Sequence, residues 1–286
     1  MPRDPSGAPH RAKRSLGQNF LVAPNIQRKI VDALRPSLQD AVMEIGPGQM
    51  ALTQHLAGRV GRLVLVELDN SLAARLRERF AGDPSVEVVH DDVLQVPLER
   101  VSADPARLKV IGNIPYNITT PIIFGLLERR PRPAEIVVMI QREVADRILA
   151  PPGGKTYGAL AVGVRAVARV ERVLNVSREA FRPAPDVMST VIRIVPLNPP
   201  PLTEDDEAAL RVLTRAAFGQ RRKQFQRILR DAYGLSPEQV QALQGETGMD
   251  LTARPESFAP ERFIDLARAL RSAGHVSKSA PGADPA

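Results

Sequence analysis

The chain has 286 residues, of which 43% are hydrophobic, so it can form about two domains that each bury a core. Its 39 Lys and Arg against 32 Asp and Glu leave a charge of +7, which favours a polyanionic partner. The absence of Cys excludes disulfides and Cys-ligated zinc, and with only four His we expect no metal site. The sequence shows neither a ~18-residue apolar run nor a signal peptide, so we expect a cytoplasmic protein without membrane contact.

The first part of the chain alternates between strand and helix patterns. Residues 1–15 contain three Pro and four basic residues without apolar periodicity, which indicates a flexible basic arm. Short apolar runs then predict buried strands at 41–45, 63–67, 86–89, 108–112 and 136–140, and amphipathic patterns predict helices at 52–57, 71–80, 121–127 and 143–149. This alternation predicts an α/β fold with a mostly parallel sheet.

The pattern changes after a further predicted strand at 188–195. A proline-rich stretch at 196–201 cannot continue a strand, and beyond it apolar residues recur at helical spacing, as in Phe225, Ile228 and Leu229. Ser236 with Gln239 forms the pattern of a helix-starting capping box. We therefore predict a first domain at 16–201, a small all-α domain at 202–271 and a flexible tail at 272–286.

A glycine turn follows the first strand of this pattern. Gly46-Pro47-Gly48 matches the start of the G-x-G-x-x-A form of dinucleotide sites, and Glu67 lies 21 residues after Gly46, where an acid could hold ribose hydroxyls. The turn therefore admits an adenosine either from NAD or from S-adenosylmethionine. Pro47 has no N–H to give to a pyrophosphate, which favours the phosphate-free S-adenosylmethionine.

Polar side chains follow the next strands at the same predicted sheet edge. Asp92 could accept from an adenine amine, although a lone Asp in a turn is more often an Asx turn. Asn113 opens an Asn-Ile-Pro-Tyr turn, and its side-chain carbonyl together with a backbone carbonyl from the Ile114–Pro115 segment could hold both N–H bonds of a base amine for methylation. Tyr116 supplies a stacking face, and Phe181 could enclose the base from the other side or pack into the core.

Taken together, the motifs resemble the ribosomal RNA adenine N6-dimethyltransferases, which use S-adenosylmethionine. The matching stretches are LGQNFL (16–21), EIGPG (44–48), Glu67, Asp92, NIPYNITTP (113–121), KTYGAL (155–160), FRPAPDVMS (181–189) and AFGQRRKQFQRIL (217–229). The resemblance implies a Rossmann-like methyltransferase sheet followed by a small helical domain that engages RNA. It also implies cofactor contacts by Asn19, Leu21, Gly46, Gly48, Glu67, Asp92 and Asn113, and a target-adenine site formed by Asn113, Pro115, Tyr116 and Phe181.

Two branches of this family differ in their RNA. The housekeeping branch dimethylates two adjacent adenosines in a hairpin near the 3′ end of 16S rRNA, and the macrolide-resistance branch dimethylates one adenosine of 23S rRNA. The TTPIIF, KTYGAL and QRRK segments resemble the housekeeping branch more closely. Met50 and Asp91 depart from the family pattern, and Met50 could crowd the cofactor or face the adjoining helix.

A basic segment supports binding to RNA. Seven basic residues and no acidic residue lie between Arg211 and Arg230, and Arg221, Arg222 and Lys223 begin a predicted helix, so we predict that these three contact phosphates. The expected partner is 16S rRNA in an assembling 30S subunit, with the protein acting as a monomer. An NAD-dependent oxidoreductase and a non-catalytic ribosome assembly factor remain the alternatives from other classes.

Overall fold

The computed structural model describes residues 18–275, so the predicted arm at 1–15 and residues 276–286 of the predicted tail lie outside the described residues. The chain divides into two compact units. Within the described residues, the first contains 18–145 together with Arg169–Pro196, and the second contains Asp146–Ala168 and 197–275. Within residues 18–275, no helix is both long and apolar enough to cross a membrane.

The first unit is built on a seven-stranded sheet. Its strands are β2 (Ala41–Ile45), β3 (Arg62–Glu67), β4 (Val86–His90), β5 (Lys109–Asn113), β6 (Glu135–Gln141), β7 (Ala168–Val176) and β9 (Ser189–Pro196). A separate antiparallel pair joins β1 (Phe20–Leu21) to β8 (Phe181–Arg182). The helices are α1 (Pro24–Ala33), α2 (Thr53–Leu56), α3 (Asn70–Arg79), α4 (Leu98–Val101), α5 (Thr119–Glu128) and α6 (Arg142–Leu149), and the later residues of α6 belong to the second unit.

The strand order creates a crevice at one edge of the sheet. The order is β4-β3-β2-β5-β6-β9-β7, in which β2 to β6 are parallel and β9 is antiparallel to β6. The chain moves outward from β2 through β3 to β4 and then returns to the other side of β2 at β5. In such sheets ligands bind outside the carboxyl ends of the strands at the point of reversal, here between β2 and β5.

The six predicted strands correspond to β2 through β6 and β9, with ends displaced by about one residue, and the predicted α/β fold is confirmed. The apolar runs were informative because strands such as β6 are buried along nearly their whole length. At the centre, Gly112 pairs with Ile45, and a Cβ at Gly112 would lie 2.8 Å from the Ile45 carbonyl oxygen. Only glycine therefore fits at this point of β5 without moving β2.

The second unit is helical. Its helices are α7 (Ala159–Arg165), α8 (Glu204–Gly219), α9 (Phe225–Tyr233), α10 (Pro237–Thr247) and α11 (Pro260–Ser272). The predicted capping box at the start of α10 is confirmed by reciprocal hydrogen bonds between Ser236 and Gln239. The core contains stacked rings of Phe218 and Phe263, with centroids 5.5 Å apart, and Phe225 packs against Phe263.

Residues 146–168 differ from the sequence prediction, which placed them in the first domain. Tyr157 is fully buried in the helical unit, where its ring lies edge-on to Phe218 and its hydroxyl donates to the Phe258 carbonyl at 2.8 Å. These contacts join segments that are distant in sequence. The βα rhythm before residue 150 therefore gave no sign that this stretch belongs with the helices.

Candidate active site

The crevice contains a cavity of about 230 Å³ in the first unit. Its wall brings together Asn19, Leu21, Gly46, Gly48, Glu67, Asp92 and Asn113, which are the predicted cofactor residues, and it also includes Pro115 and Tyr116. Phe181 is not among the residues that form this wall. Residues from strand ends that are far apart in sequence thus meet where the sheet topology predicts.

The glycine loop after β2 is held closely by its own surroundings. Gly46 and Gly48 have φ of +62° and +55°, and a Cβ at Gly48 would lie 3.2 Å from the Phe20 ring. The N–H of Gly46 donates to the Val66 carbonyl at 2.9 Å, and that of Gly48 donates to Glu67 Oε2 at 3.0 Å. With Pro47 lacking an N–H, few donors of this loop are left for a phosphate.

Glu67 connects the glycine loop to the start of α3. Its Oε1 accepts from the Asp69 N–H at 2.9 Å, while its Oε2 accepts from Gly48. Burial raises the pKa of Glu67, and these backbone donors partly oppose that rise. Each carboxylate oxygen keeps a second lone pair, so Glu67 can still accept from ribose hydroxyls.

Glu44, at the same wall, is a polar residue whose environment the sequence did not reveal. Its side chain is 1% exposed, and its Oε2 has no hydrogen-bond partner among the described residues. Burial raises the pKa of Glu44 to about 8, and the nearby charge of Glu67 adds to the rise. At neutral pH Glu44 is therefore mostly protonated in this structure.

Asp92 and the two residues that depart from the family pattern are also placed by the structure. Asp92 Oδ1 accepts from the Leu94 N–H at 2.9 Å, which is an Asx turn, yet the side chain also forms part of the cavity wall. Asp91 is an exposed wall residue whose Oδ1 accepts from the Asp92 N–H. Met50 packs against the hydrophobic core and is not a wall residue, so its side chain faces away from the cavity.

The amide of Asn113 is oriented by the segment before α1. Its Nδ2 donates to the backbone carbonyl of Asn19 at 2.9 Å, which commits the amino side of the amide and leaves Oδ1 as an acceptor. The same segment is attached to α3 by a 3.2 Å hydrogen bond from Gln18 Nε2 to Asp69 Oδ2. Neither contact has a local sequence signal, because the partners are 94 and 51 residues apart.

The backbone after Asn113 leaves one carbonyl as the candidate second acceptor. The Pro115 carbonyl already accepts from the Ile118 N–H and from the Thr119 hydroxyl, each at 3.2 Å. The carbonyl of Ile114 is then the remaining choice in the predicted segment. Two acceptors next to one another can hold both N–H bonds of an exocyclic amine.

Tyr116 and Phe181 have different environments. Tyr116 is half-buried on the cavity wall, and its hydroxyl lies 2.6 Å from Ser189 Oγ. Phe181 is fully buried in the core with Leu21, its partner in the β1–β8 ladder. Because side chains alternate along a strand, Arg182 points to solvent and Phe181 points inward, so the predicted stacking of Phe181 on a base does not hold in this structure.

The predicted RNA-binding residues lie in the second unit and have unequal environments. Arg221 donates from Nε and Nη2 to Glu256 Oε2 at 2.9 and 2.7 Å and from Nη1 to the Lys155 carbonyl. Lys223 forms an exposed ion pair with Asp231 at 2.9 Å, and Arg222 is exposed. The geometry therefore gives Arg221 an internal structural role.

A basic groove lies beside these residues. It is lined by Lys223, Arg227, Arg230, Asp231, Gly234 and Leu235, and it has a volume of about 550 Å³. Arg227 and Arg230 are exposed on the outer face of α9, whereas Phe225, Ile228 and Leu229 on its inner face are buried. Both arginines belong to the basic segment at 211–230, but they are not among the three residues predicted to contact phosphates.

The sequence of this chain matches a known protein family. Residues 9–271 match the family described as ribosomal RNA adenine dimethylase. The chain is 40% identical over 267 residues to ribosomal RNA small subunit methyltransferase A of Geobacter metallireducens, covering 92% of this chain and 97% of the relative. It is 39% identical over 272 residues to the protein of the same name from Bordetella pertussis, covering 95% and 99%.

Two solved structures are similar to this chain over most of its length. A dimethyladenosine transferase from Plasmodium falciparum aligns with a TM-score of 0.79 and 25% identity, covering 90% of this chain and 98% of its own. The 23S rRNA methyltransferase ErmE aligns with a TM-score of 0.67 and 27% identity, covering 88% and 100%. The similarity therefore extends over both units of the chain.

Proposed function

The chain belongs to the ribosomal RNA adenine dimethylase family, and we propose that it dimethylates the N6 amines of two adjacent adenosines near the 3′ end of 16S rRNA. The observation that carries the proposal is the oriented amide of Asn113 at the end of β5, in the same cavity as Glu67 and Tyr116. The relatives with 39–40% identity over more than nine-tenths of this chain are small-subunit methyltransferases. Their names favour 16S over 23S rRNA.

The residues of the cavity fit S-adenosylmethionine better than a dinucleotide. The N–H groups of Gly46 and Gly48 are already bonded and Pro47 has none, so this loop offers few donors to a diphosphate. The carboxylate of Glu67 suits ribose hydroxyls, and the unpartnered Oε2 of Glu44 provides a further polar group for a ligand. When bound, S-adenosylmethionine supplies an activated methyl group on a sulfonium.

The chain's own residues then position the target amine for the transfer. In the first transfer, Asn113 Oδ1 and the Ile114 carbonyl accept the two N–H bonds of the target amine, so that its lone pair is directed away from them and toward the methyl group. In the second transfer the monomethylated amine has one N–H left, which one of these two acceptors holds. Tyr116 stacks on the base, a contact that contributes ~1–3 kcal/mol. Such positioning for in-line displacement accounts for catalysis without a general base, and the methylated amine releases its proton to solvent.

Recognition of the RNA is assigned to the helical unit. Arg222 and Lys223 contact phosphates, as do Arg227 and Arg230, which line the basic groove together with Lys223. Phosphate contacts of this kind fix the register of the RNA, while the cavity reads the base. We propose that the protein acts as a monomer on assembling 30S subunits in the cytoplasm.

The test is methyl transfer to unmethylated 30S particles from methyl-labelled S-adenosylmethionine, with mass spectrometry locating the dimethyladenosines. We expect Asn113→Ala to abolish transfer while particle binding is retained, because phosphate contacts provide most of the affinity. Asn70→Ala, an exposed Asn at the start of α3, is the matched control and should transfer at the wild-type rate. Transfer to 50S particles but not to 30S particles in parallel reactions, or 30S binding without transfer by the wild type, would contradict the proposal.

A further inference from the structure

Tyr116 is attached to the sheet at its hydroxyl end. The hydroxyl lies 2.6 Å from Ser189 Oγ, a distance typical of a strong O–H···O hydrogen bond. Burial raises the pKa of Tyr116, so the phenol stays protonated and the bond persists at neutral and mildly alkaline pH. The ring is therefore held at both ends, by its backbone after Pro115 and by Ser189.

Ser189 is a rigid point of attachment. It is fully buried at the first position of β9 and pairs with Gln141 of β6. Met139 of β6 pairs in turn with Asn113 of β5. Asn113 and the anchor of the Tyr116 ring thus lie on two strands joined by β6, so the sheet itself fixes the ring relative to the amide.

We propose that Ser189 is a positioning residue that sets the angle of the Tyr116 ring over the target adenine. This inference rests on the proposed function of Tyr116. Asn113 holds the edge of the base and Tyr116 its face, so a tilted ring would leave the amine out of line with the methyl group. A small displacement of a reacting group lowers the rate without lowering affinity for the RNA, which is bound mainly through phosphates.

The neighbouring residue provides a matched control. Thr190 is equally buried on β9, and its hydroxyl donates to Asn175 Oδ1 at 2.9 Å on β7, away from the cavity. Thr190→Val removes a buried hydroxyl hydrogen bond from the same strand. A general weakening of β9 would therefore affect the Ser189 and Thr190 variants alike, whereas a positioning role affects only Ser189.

The experiment measures single-turnover methyl transfer to saturating unmethylated 30S particles for Ser189→Ala, Tyr116→Phe, the double variant and Thr190→Val. We expect Ser189→Ala and Tyr116→Phe each to slow transfer about five- to tenfold, as loss of one hydrogen bond predicts. The double variant should be no slower than either, because both remove the same bond. The Kd for S-adenosylmethionine should stay unchanged, and Thr190→Val should transfer at the wild-type rate.

A second measurement does not depend on activity. The chain has three Tyr, so ring-labelled tyrosine gives a simple NMR spectrum. The signal that Tyr116→Phe removes should be the one that Ser189→Ala shifts. Absence of transfer by the wild type would refute the proposed function but not this bond. The role of Ser189 would be overturned by a wild-type transfer rate in Tyr116→Phe, by rate losses that add in the double variant, or by an equal rate loss in Thr190→Val. An NMR signal of Tyr116 that Ser189→Ala leaves unshifted would also overturn it. Should Ser189→Ala fail to fold, the transfer rate of Tyr116→Phe decides.

Discussion

Replacement of Glu44 by Gln should change how the stability of the protein depends on pH. The carboxyl is 1% exposed, and burial raises its pKa to about 8 from the ordinary value of 4.5. A carboxyl with a higher pKa in the folded state keeps its proton there after the unfolded chain has released it. The folded state then binds more protons, and the free energy of unfolding falls as the pH rises from about 4.5 to about 8.

The size of the effect follows from the same values. Each pH unit within this window costs ~1.4 kcal/mol, so the wild type should lose about 3 kcal/mol between about pH 5.5 and pH 8 through Glu44. Gln has nearly the same shape and cannot ionise, so this part of the loss disappears in Glu44→Gln. Glu67, whose pKa burial also raises, contributes in the same direction to both proteins.

Urea unfolding followed by far-UV circular dichroism measures this difference, and the chain has no Trp to serve as a fluorescent probe. The stability of Glu44→Gln relative to wild type should rise by about 3 kcal/mol between the two pH values. Glu99→Gln, at an exposed position in α4, should show no such rise. An equal difference between Glu44→Gln and wild type at both pH values would refute the reasoning.

Three further predictions concern packing and charge. Phe181→Ala should lower the free energy of unfolding by ~3–5 kcal/mol, because it leaves a cavity at a fully buried site. If the variant were as stable as wild type but defective in methyl transfer, Phe181 would stack on the base after all. Gly112→Ala should lower it by ~1–3 kcal/mol because its Cβ meets the Ile45 carbonyl, whereas Gly82→Ala, with nothing within 4 Å, should be tolerated in the same urea titration. Arg227→Glu should weaken 30S binding and reduce the slope of the logarithm of the binding constant against the logarithm of the salt concentration by about 1. Arg221→Ala should mainly lower the melting temperature, because Arg221 is bonded to Glu256. An unchanged slope in Arg227→Glu would show that the groove does not bind RNA phosphates.

Much of the active site was accessible from local sequence. Gly46, Glu67, Asp92 and Asn113 each lie at or just after the carboxyl end of a predicted strand, and the ends of parallel strands share one edge of a sheet. The Asn-Ile-Pro-Tyr turn was recognisable because its residue types match the chemistry of holding an amine. Glu44 was visible in its motif, but its unpartnered oxygen and raised pKa depend on what surrounds it in the folded protein.

Other assignments depended on partners distant in sequence. Phe181 and Tyr116 are both aromatics in loop-like segments, and only the pairing of β8 with β1 directs the Phe181 ring into the core. Arg221 and Arg222 are adjacent in sequence, but Arg221 is bonded to Glu256 whereas Arg222 is exposed, and the sequence does not show which of the two meets Glu256. Tyr157 is assigned to the helical unit by Phe218 and Phe258 rather than by its neighbours in the chain.

Periodicity, turn chemistry and residue type were sufficient for β2 to β6 and β9, for the order of the motifs and for the family, because each of these depends on about ten neighbouring residues. They did not predict β1, β7 or β8. The direction of a side chain, the partner of a charge and the pKa of a buried acid were settled by contacts across the fold, since burial and electrostatic energy depend on distance in space and not on distance along the chain.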